Sequence, residues 1–234
     1  MTRAAHQSEG FVRRLERAGA RVARYPVIAI APPADWSAVD DAVRHLQQYD
    51  WLLFTSANAV EAFFDRARDA SIFGRVAAVG PATAAALEGR GRRVDLVPGE
   101  HIAEGMVDAL AGVDVKGMRI LLPRAAAARD VLPDRLRERG AEVDAVEVYR
   151  NVLPTPEAAF PRSPDWVTFT SASTVKNLLA LVAREEFAGG KMASIGPETS
   201  AALRRHQLAV TVEARPSTQE ALADAMVTWD NNAE

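Results

Sequence analysis

With 234 residues and no cysteine, the chain has neither a disulfide framework nor a thiolate nucleophile, and it fits a reducing compartment. A formal net charge of -3 gives no electrostatic drive toward nucleic acid or an anionic membrane surface. Hydrophobic content of 48% with 25% charged residues is ordinary for a globular protein, and neither a signal-peptide core nor a long apolar run appears, so a cytoplasmic location is expected.

In chain order the pattern alternates short apolar runs with helical stretches, which predicts βαβ units and a parallel sheet. Leu15 to Arg17 close a first helix that stops at Gly19, and a strand is expected just beyond it, before a proline-bearing linker at Pro26–Asp35. Strands follow at Trp51–Thr55, Arg75–Val79, Arg93–Leu96, Arg119–Leu122 and Val143–Val146. The intervening helices are Ala57–Asp69, Pro81–Glu88, Ala103–Leu110 and Arg129–Arg139. A second proline-rich linker, Glu147–Pro164, leads to strands at Trp166–Thr170, Met192–Ile195 and Val210–Val212. Helices at Ser173–Val182, Pro197–Arg205 and Thr218–Val227 complete the pattern.

The chain repeats itself. Trp51-Leu52-Leu53-Phe54-Thr55-Ser56-Ala57 returns as Trp166-Val167-Thr168-Phe169-Thr170-Ser171-Ala172, 115 residues later. Val79-Gly80-Pro81-Ala82-Thr83 returns as Ile195-Gly196-Pro197-Glu198-Thr199 at an offset of 116. Leu15 to Val22 resembles Leu136 to Val143 at 121, so an insertion or deletion separates the blocks. A period this long is a duplicated domain rather than a solenoid unit. Too few strands follow the second linker to build a sheet without the N-terminal piece. The predicted fold is therefore α/β: two similar doubly wound parallel-sheet lobes joined by a two-segment linker, one lobe discontinuous. The expected domains are 1–30 with 153–234, and 31–152.

Ligands of open α/β sheets bind where strands hand over to helices. Thr55-Ser56 and Ser171 occupy such turns, where a hydroxyl caps the helix and can also meet an anion. Thr83 and Thr199 lie in first helical turns entered through Gly-Pro, a good position for proline because its missing N–H costs nothing there. Each of these residues also serves as an ordinary cap. Arg3 and Arg124 open Ala-rich loops, and a guanidinium offers a planar fork for a carboxylate when it is not simply solvated. Tyr149 stands at the mouth of the second linker, either packed on it or facing a cleft. The histidines, His6, His45, His101 and His206, lack metal-ligand spacing, and neither a dinucleotide fingerprint nor a Walker loop is present. These patterns give no reason to expect a metal site or a nucleotide cofactor.

These residues resemble the uroporphyrinogen-III synthase family. The resemblance rests on the Thr-Ser turn followed by Ala57-Asn58-Ala59-Val60, both Gly-Pro-x-Thr turns, Val148-Tyr149, and the ending Ala214-Arg215-Pro216-Ser217-Thr218-Gln219-Glu220-Ala221-Leu222. It implies a cofactor-free lyase of tetrapyrrole (haem) biosynthesis that cyclises linear hydroxymethylbilane to uroporphyrinogen III, losing water and inverting the fourth pyrrole ring. Carried over by match, Tyr149 is the functional tyrosine and Thr83 and Thr199 are the cleft threonines. Thr55, Ser56 and Ser171 then line carboxylate-binding turns. The implied partners are this polycarboxylate substrate and, transiently, the upstream hydroxymethylbilane synthase, with the chain a monomer that binds neither nucleic acid nor membrane.

One departure stands out. The family opens with a full strand ending in Thr-Arg-Pro, whereas only Met1-Thr2-Arg3 precedes Ala4 here, so a start further upstream is expected. Two rivals share the fold: a bilobed small-ligand-binding or regulatory protein, and a catalytically silent paralogue.

Overall fold

The structure, a computed structural model, describes residues 9–68, 74–156 and 158–233. The elements are α1 (Glu9–Arg17), β1 (Ala29–Ala31), α2 (Ser37–Arg44), β2 (Trp51–Phe54), α3 (Ala57–Arg66), β3 (Arg75–Ala78), α4 (Pro81–Gly89), α5 (Ala103–Ala109) and β4 (Arg119–Ala125). There follow α6 (Val131–Glu138), β5 (Glu142–Val152), β6 (Trp166–Phe169), α7 (Ala172–Leu181), β7 (Lys191–Ser194), α8 (Pro197–Arg205), β8 (Val212–Glu213) and α9 (Gln219–Ala233). Two compact units emerge, Met1–Ala29 with Val152–Glu234, and Ile30–Asn151.

The continuous unit holds a five-stranded sheet in the order β1-β5-β4-β2-β3, with β3, β2, β4 and β5 paired parallel. Strand alternation sends Leu52, Phe54, Val76, Ala78 and Leu121 to one face, under α2, α3 and α4. Trp51, Leu53, Ala77, Ile120 and Leu122 go to the other face, under α5 and α6. Because both faces are covered, β2 reads as an unbroken apolar run rather than an alternating one. The discontinuous unit repeats the plan on a three-stranded parallel sheet, β6-β7-β8. Val167, Phe169 and Met192 pack with α7 and α8, while Ala193 packs with α1 and α9 on the opposite face.

The duplication extends to details that no sequence match contains. β2 pairs with β3 from Trp51↔Arg75 to Phe54↔Ala78, and β6 pairs with β7 from Trp166↔Lys191 to Phe169↔Ser194. The residue opposite each tryptophan is a cation over its ring, Arg75 at 5.5 Å and Lys191 at 5.0 Å. Helices α1 and α6 end alike, on Gly19 (φ +87°) and Gly140 (φ +86°), with the next N–H donating to Leu15 O and Leu136 O at 3.1 Å each. Only glycine enters that left-handed conformation without a Cβ penalty. The glycine of each Gly-Pro turn has a spatial reason: a Cβ on Gly196 would sit 2.4 Å from Ser217 Oγ, and one on Gly80 would lie 3.3 Å from His101 Cβ.

Several expectations change. The segment read as a second linker is in its first part strand, since β5 continues to Val152, and the first linker contains β1. Both gain sheet pairing that composition does not reveal, and Arg150 Nε donates to Pro32 O at 2.9 Å beside them. The strand expected after Gly19 is absent: residues 20–28 carry no strand pairing, although Tyr25 and Val27 are buried. Its counterpart β5 bonds to β4, and no described strand offers residues 20–28 an equivalent partner. Arg93–Leu96 reduces to a single bridge, Ala77↔Leu96. Helix α2 escaped sequence reading because its apolar stripe is short, only Val39 and Ala42 being buried. The truncated first strand and Arg3 lie outside the described residues.

Lys191 also reaches Trp229 at 4.3 Å and pairs with Asp230 at 2.7 Å, while Trp166 Nε1 donates to the same carboxylate at 2.8 Å. Burial acts to raise the Asp230 pKa, but the Lys191 and Trp166 hydrogen bonds outweigh it, and the net shift is downward. A carboxyl with a depressed folded-state pKa contributes stability above its unfolded value, about 3.9, and loses it as pH falls through the folded value. Asp230→Asn should therefore unfold earlier than wild type at pH 6, with the gap closing below about pH 4. Thermal midpoints across pH check this, and a gap independent of pH would refute it.

Candidate functional site

Because β2 to β5 run parallel, the ends of these strands define one carboxyl edge of the continuous unit. Thr55 and Ser56 follow β2, Thr83 follows β3 in the first turn of α4, and Arg124 lies near the end of β4. Tyr149 is paired opposite Ala125, the last residue of β4. Two of the sequence-predicted turns, together with Arg124 and Tyr149, thus lie along the edge at which open α/β sheets bind ligands. In the discontinuous unit Ser171 follows β6 and Thr199 follows β7, the same edge of the other sheet.

Tyr149 reaches its position through a β-bulge. Along β5, Val143 and Ala145 belong to the α5/α6 face, and Val146 and Val148 to the opposite core. Strict alternation from Val143 and Ala145 would put Tyr149 with them. The β4–β5 register shifts where Arg124↔Glu147 gives way to Ala125↔Tyr149, so one extra residue is accommodated. Tyr149 then joins Val146 and Val148 in the core shared with Phe54 and α3. Bulges re-aim side chains in this way and are common beside active sites. The ring is 6% exposed, and its hydroxyl lies 3.2 Å from Ser56 Oγ.

Ser56 is the N-cap of α3, with its Oγ accepting from Ala59 N at 3.1 Å. Ser171 caps α7 in the same way, accepting from Thr174 N at 3.3 Å, and Thr174 closes a capping box. The two copies differ in what else the hydroxyl meets: Tyr149 in one, Ser173 Oγ at 2.9 Å in the other. Thr83 and Thr199 are 5% and 3% exposed, so the first turns of α4 and α8 hold them inward rather than presenting them to solvent. Thr55 is half-buried.

Arg124 is not the open fork that its sequence position suggests. Its side chain is 12% exposed, pairs with Asp130 at 2.7 Å and donates to Ala128 O at 3.0 Å. It braces the loop between β4 and α6, and a ligand carboxylate would have to compete with Asp130.

Sequence reading missed two polar groupings. Tyr49 donates to Asp144 at 2.6 Å, and burial together with that bond pushes its pKa well above the ordinary phenol value. Where β7 and β8 end, Ser200 Oγ of α8 lies 2.9 Å from Ser194 Oγ. Glu213 is held below the usual carboxylate range first by its hydrogen bond with Ser200, then by Arg215. Tyr49 and Asp144 lie 95 positions apart, and Ser200 and Glu213 belong to different elements, so only the tertiary fold brings them together. Among the described residues no group of His, Asp or Glu is arranged to hold a metal ion, and no helix is long and apolar enough to cross a membrane.

Comparison with known proteins places this architecture. The family model for uroporphyrinogen-III synthase HemD matches residues 9–224. The chain is similar to the uroporphyrinogen-III synthase of Synechococcus elongatus, 35% identical over 97% of this chain and 93% of that protein. In fold it is similar to a mutant uroporphyrinogen III synthase of Thermus thermophilus, with a TM-score of 0.63, 19% identity and coverage of 98% and 97%. The uroporphyrinogen-III synthetase of Helicobacter pylori also gives a TM-score of 0.63 at 19% identity, covering 90% of this chain and 95% of that one. With its two duplicated parallel sheets and its sequence matched over residues 9–224, the chain belongs to the uroporphyrinogen-III synthase family.

Proposed function

We propose that the chain is a cofactor-free hydro-lyase that closes linear hydroxymethylbilane into uroporphyrinogen III. The family match over residues 9–224 carries this reading, and the placement of Tyr149 supports it. In the proposed reaction Tyr149 gives its proton to the departing hydroxyl, the C–O bond breaks and water leaves. The substituted carbon of the last pyrrole attacks the resulting azafulvene carbon, the ring rearranges, and closure releases the proton that restores the phenol. Most of the rate enhancement then comes from holding the flexible chain in the geometry that permits this attack, an entropic contribution of the kind that well-oriented groups supply. That demand suits a site rich in helix caps and poor in acid–base clusters.

By this reading the turns at Thr55, Ser56 and Thr83 in the continuous unit, and those at Ser171 and Thr199 in the discontinuous unit, take substrate carboxylates chiefly through the free backbone N–H groups of their helix N-termini, since Thr83 and Thr199 are turned inward and Arg124 is engaged by Asp130. Helix N-termini attract anions without a concentrated cationic patch, which reconciles a polyanionic substrate with a chain of net charge -3. The same reading has the protein acting as a monomer in the cytoplasm, on substrate released by hydroxymethylbilane synthase.

The test is the isomer formed. Purified protein supplied with enzymatically generated hydroxymethylbilane should yield the type III product, separable chromatographically after oxidation from the type I isomer of spontaneous closure. Type I alone would overturn the assignment.

A further inference from the structure

We propose that Ser56 is the positioning residue for Tyr149, linking the phenol oxygen to the N-terminus of α3. This rests on the reading of Tyr149 as the proton donor. The observation behind it is the 3.2 Å approach of Ser56 Oγ to the Tyr149 hydroxyl, from an oxygen that already accepts Ala59 N at 3.1 Å. With one lone pair committed to the helix, the serine proton is free to point at the tyrosine oxygen.

The pairing is specific to one half of a duplicated molecule. Ser171, the counterpart of Ser56, spends its hydroxyl on Thr174 N and Ser173 Oγ. Residue 58, the position matching Ser173, is Asn, and Ala59 replaces Thr174, so the first copy lacks both local hydroxyls. The β5 bulge then brings Tyr149 to this cap. Two independent features of the continuous unit, a stripped-down cap and an extra strand residue, converge on one contact.

Its chemical consequence follows from proton balance. When the Tyr149 O–H bond breaks in favour of the leaving hydroxyl, negative charge develops on the phenol oxygen until ring closure returns a proton. Ser56 donates to that oxygen at this stage, and its own oxygen stays anchored to the partly positive end of α3. Hydrogen bonds to a charged oxygen are about twice as strong as neutral ones, so the contact tightens in the transition state relative to the ground state.

Wild type, Ser56→Ala, Ser56→Thr, Tyr149→Phe and the double variant Ser56→Ala/Tyr149→Phe decide the matter through kcat and KM on enzymatically generated hydroxymethylbilane. Ser56→Ala should lower kcat about 10- to 100-fold, the equivalent of one charge-assisted hydrogen bond, with KM moving less than about twofold. Ser56→Thr, which keeps the hydroxyl and the cap, should stay within about threefold of wild type. In the Tyr149→Phe background the serine substitution should change kcat by less than about twofold, because the group it acts through is gone. A loss of the same size in both backgrounds would reduce Ser56 to a helix cap and overturn the proposal, as would an unchanged kcat in the single variant. Wild-type protein that forms only the type I isomer would remove the activity reading and this inference with it. Normal type III formation by a fully active Ser56→Ala variant would remove this inference alone.

Discussion

Tyr149→Phe should lower kcat about a hundredfold, the low end of what a positioned general acid contributes, with KM changed less than about twofold. The low end is expected because the azafulvene formed on loss of water is itself stabilised, so the departing hydroxyl asks for modest help. An effect confined to kcat marks an interaction realised only in the transition state. The variant should remain folded: phenylalanine fills the same volume beside Phe54 and Val146, and the loss is one hydrogen bond to Ser56, worth about 0.5–1.5 kcal/mol. Steady-state kinetics together with a thermal midpoint separate these contributions. Equal changes in kcat and KM, or full activity, would exclude a proton-donor role.

Phe63→Ala should cost the continuous unit about 3–5 kcal/mol. Phe63 is fully buried in α3, its ring 5.7 Å from that of Phe54 and 5.4 Å from that of Phe64, both edge-on. Removing the ring deletes two aromatic contacts and leaves a cavity against β2, which cannot collapse because its strand neighbours are hydrogen-bonded on both sides. Domains of this size are stable by only about 5–15 kcal/mol, so the substitution removes a large part of the total. Phe63→Leu, which refills most of the volume, should cost under about 1.5 kcal/mol. Urea unfolding followed by circular dichroism measures both. A loss below about 1 kcal/mol for the alanine variant would mean that the cluster repacks.

Signals confined to one short segment were legible in the sequence. The capping serines, the Gly-Pro helix starts and the glycine stops after α1 and α6 each depend on a few neighbouring residues, and each has the local geometry its chemistry dictates. The largely apolar runs at β2 and β6 marked strands of parallel sheets. What stayed hidden depends on partners far away in sequence. β1 and the second half of β5 were hidden by the prolines that flank them, Pro26, Pro32 and Pro33 around one and Pro154 and Pro156 after the other, and only their sheet pairing shows them to be strands. Residues 20–22 resemble the start of β5, yet residues 20–28 pair with no strand among the described residues.

The candidate site divides along the same line. Repetition and composition alone were enough to determine a duplicated α/β chain whose Ser and Thr turns sit where strands become helices, because propensity, capping and hydrophobic period are local properties. Which face Tyr149 takes, and that its hydroxyl meets Ser56 rather than solvent, was decided only by tertiary structure. A one-residue register shift reverses the side of every residue beyond it, and the strand pairing that imposes the shift joins segments far apart in the chain.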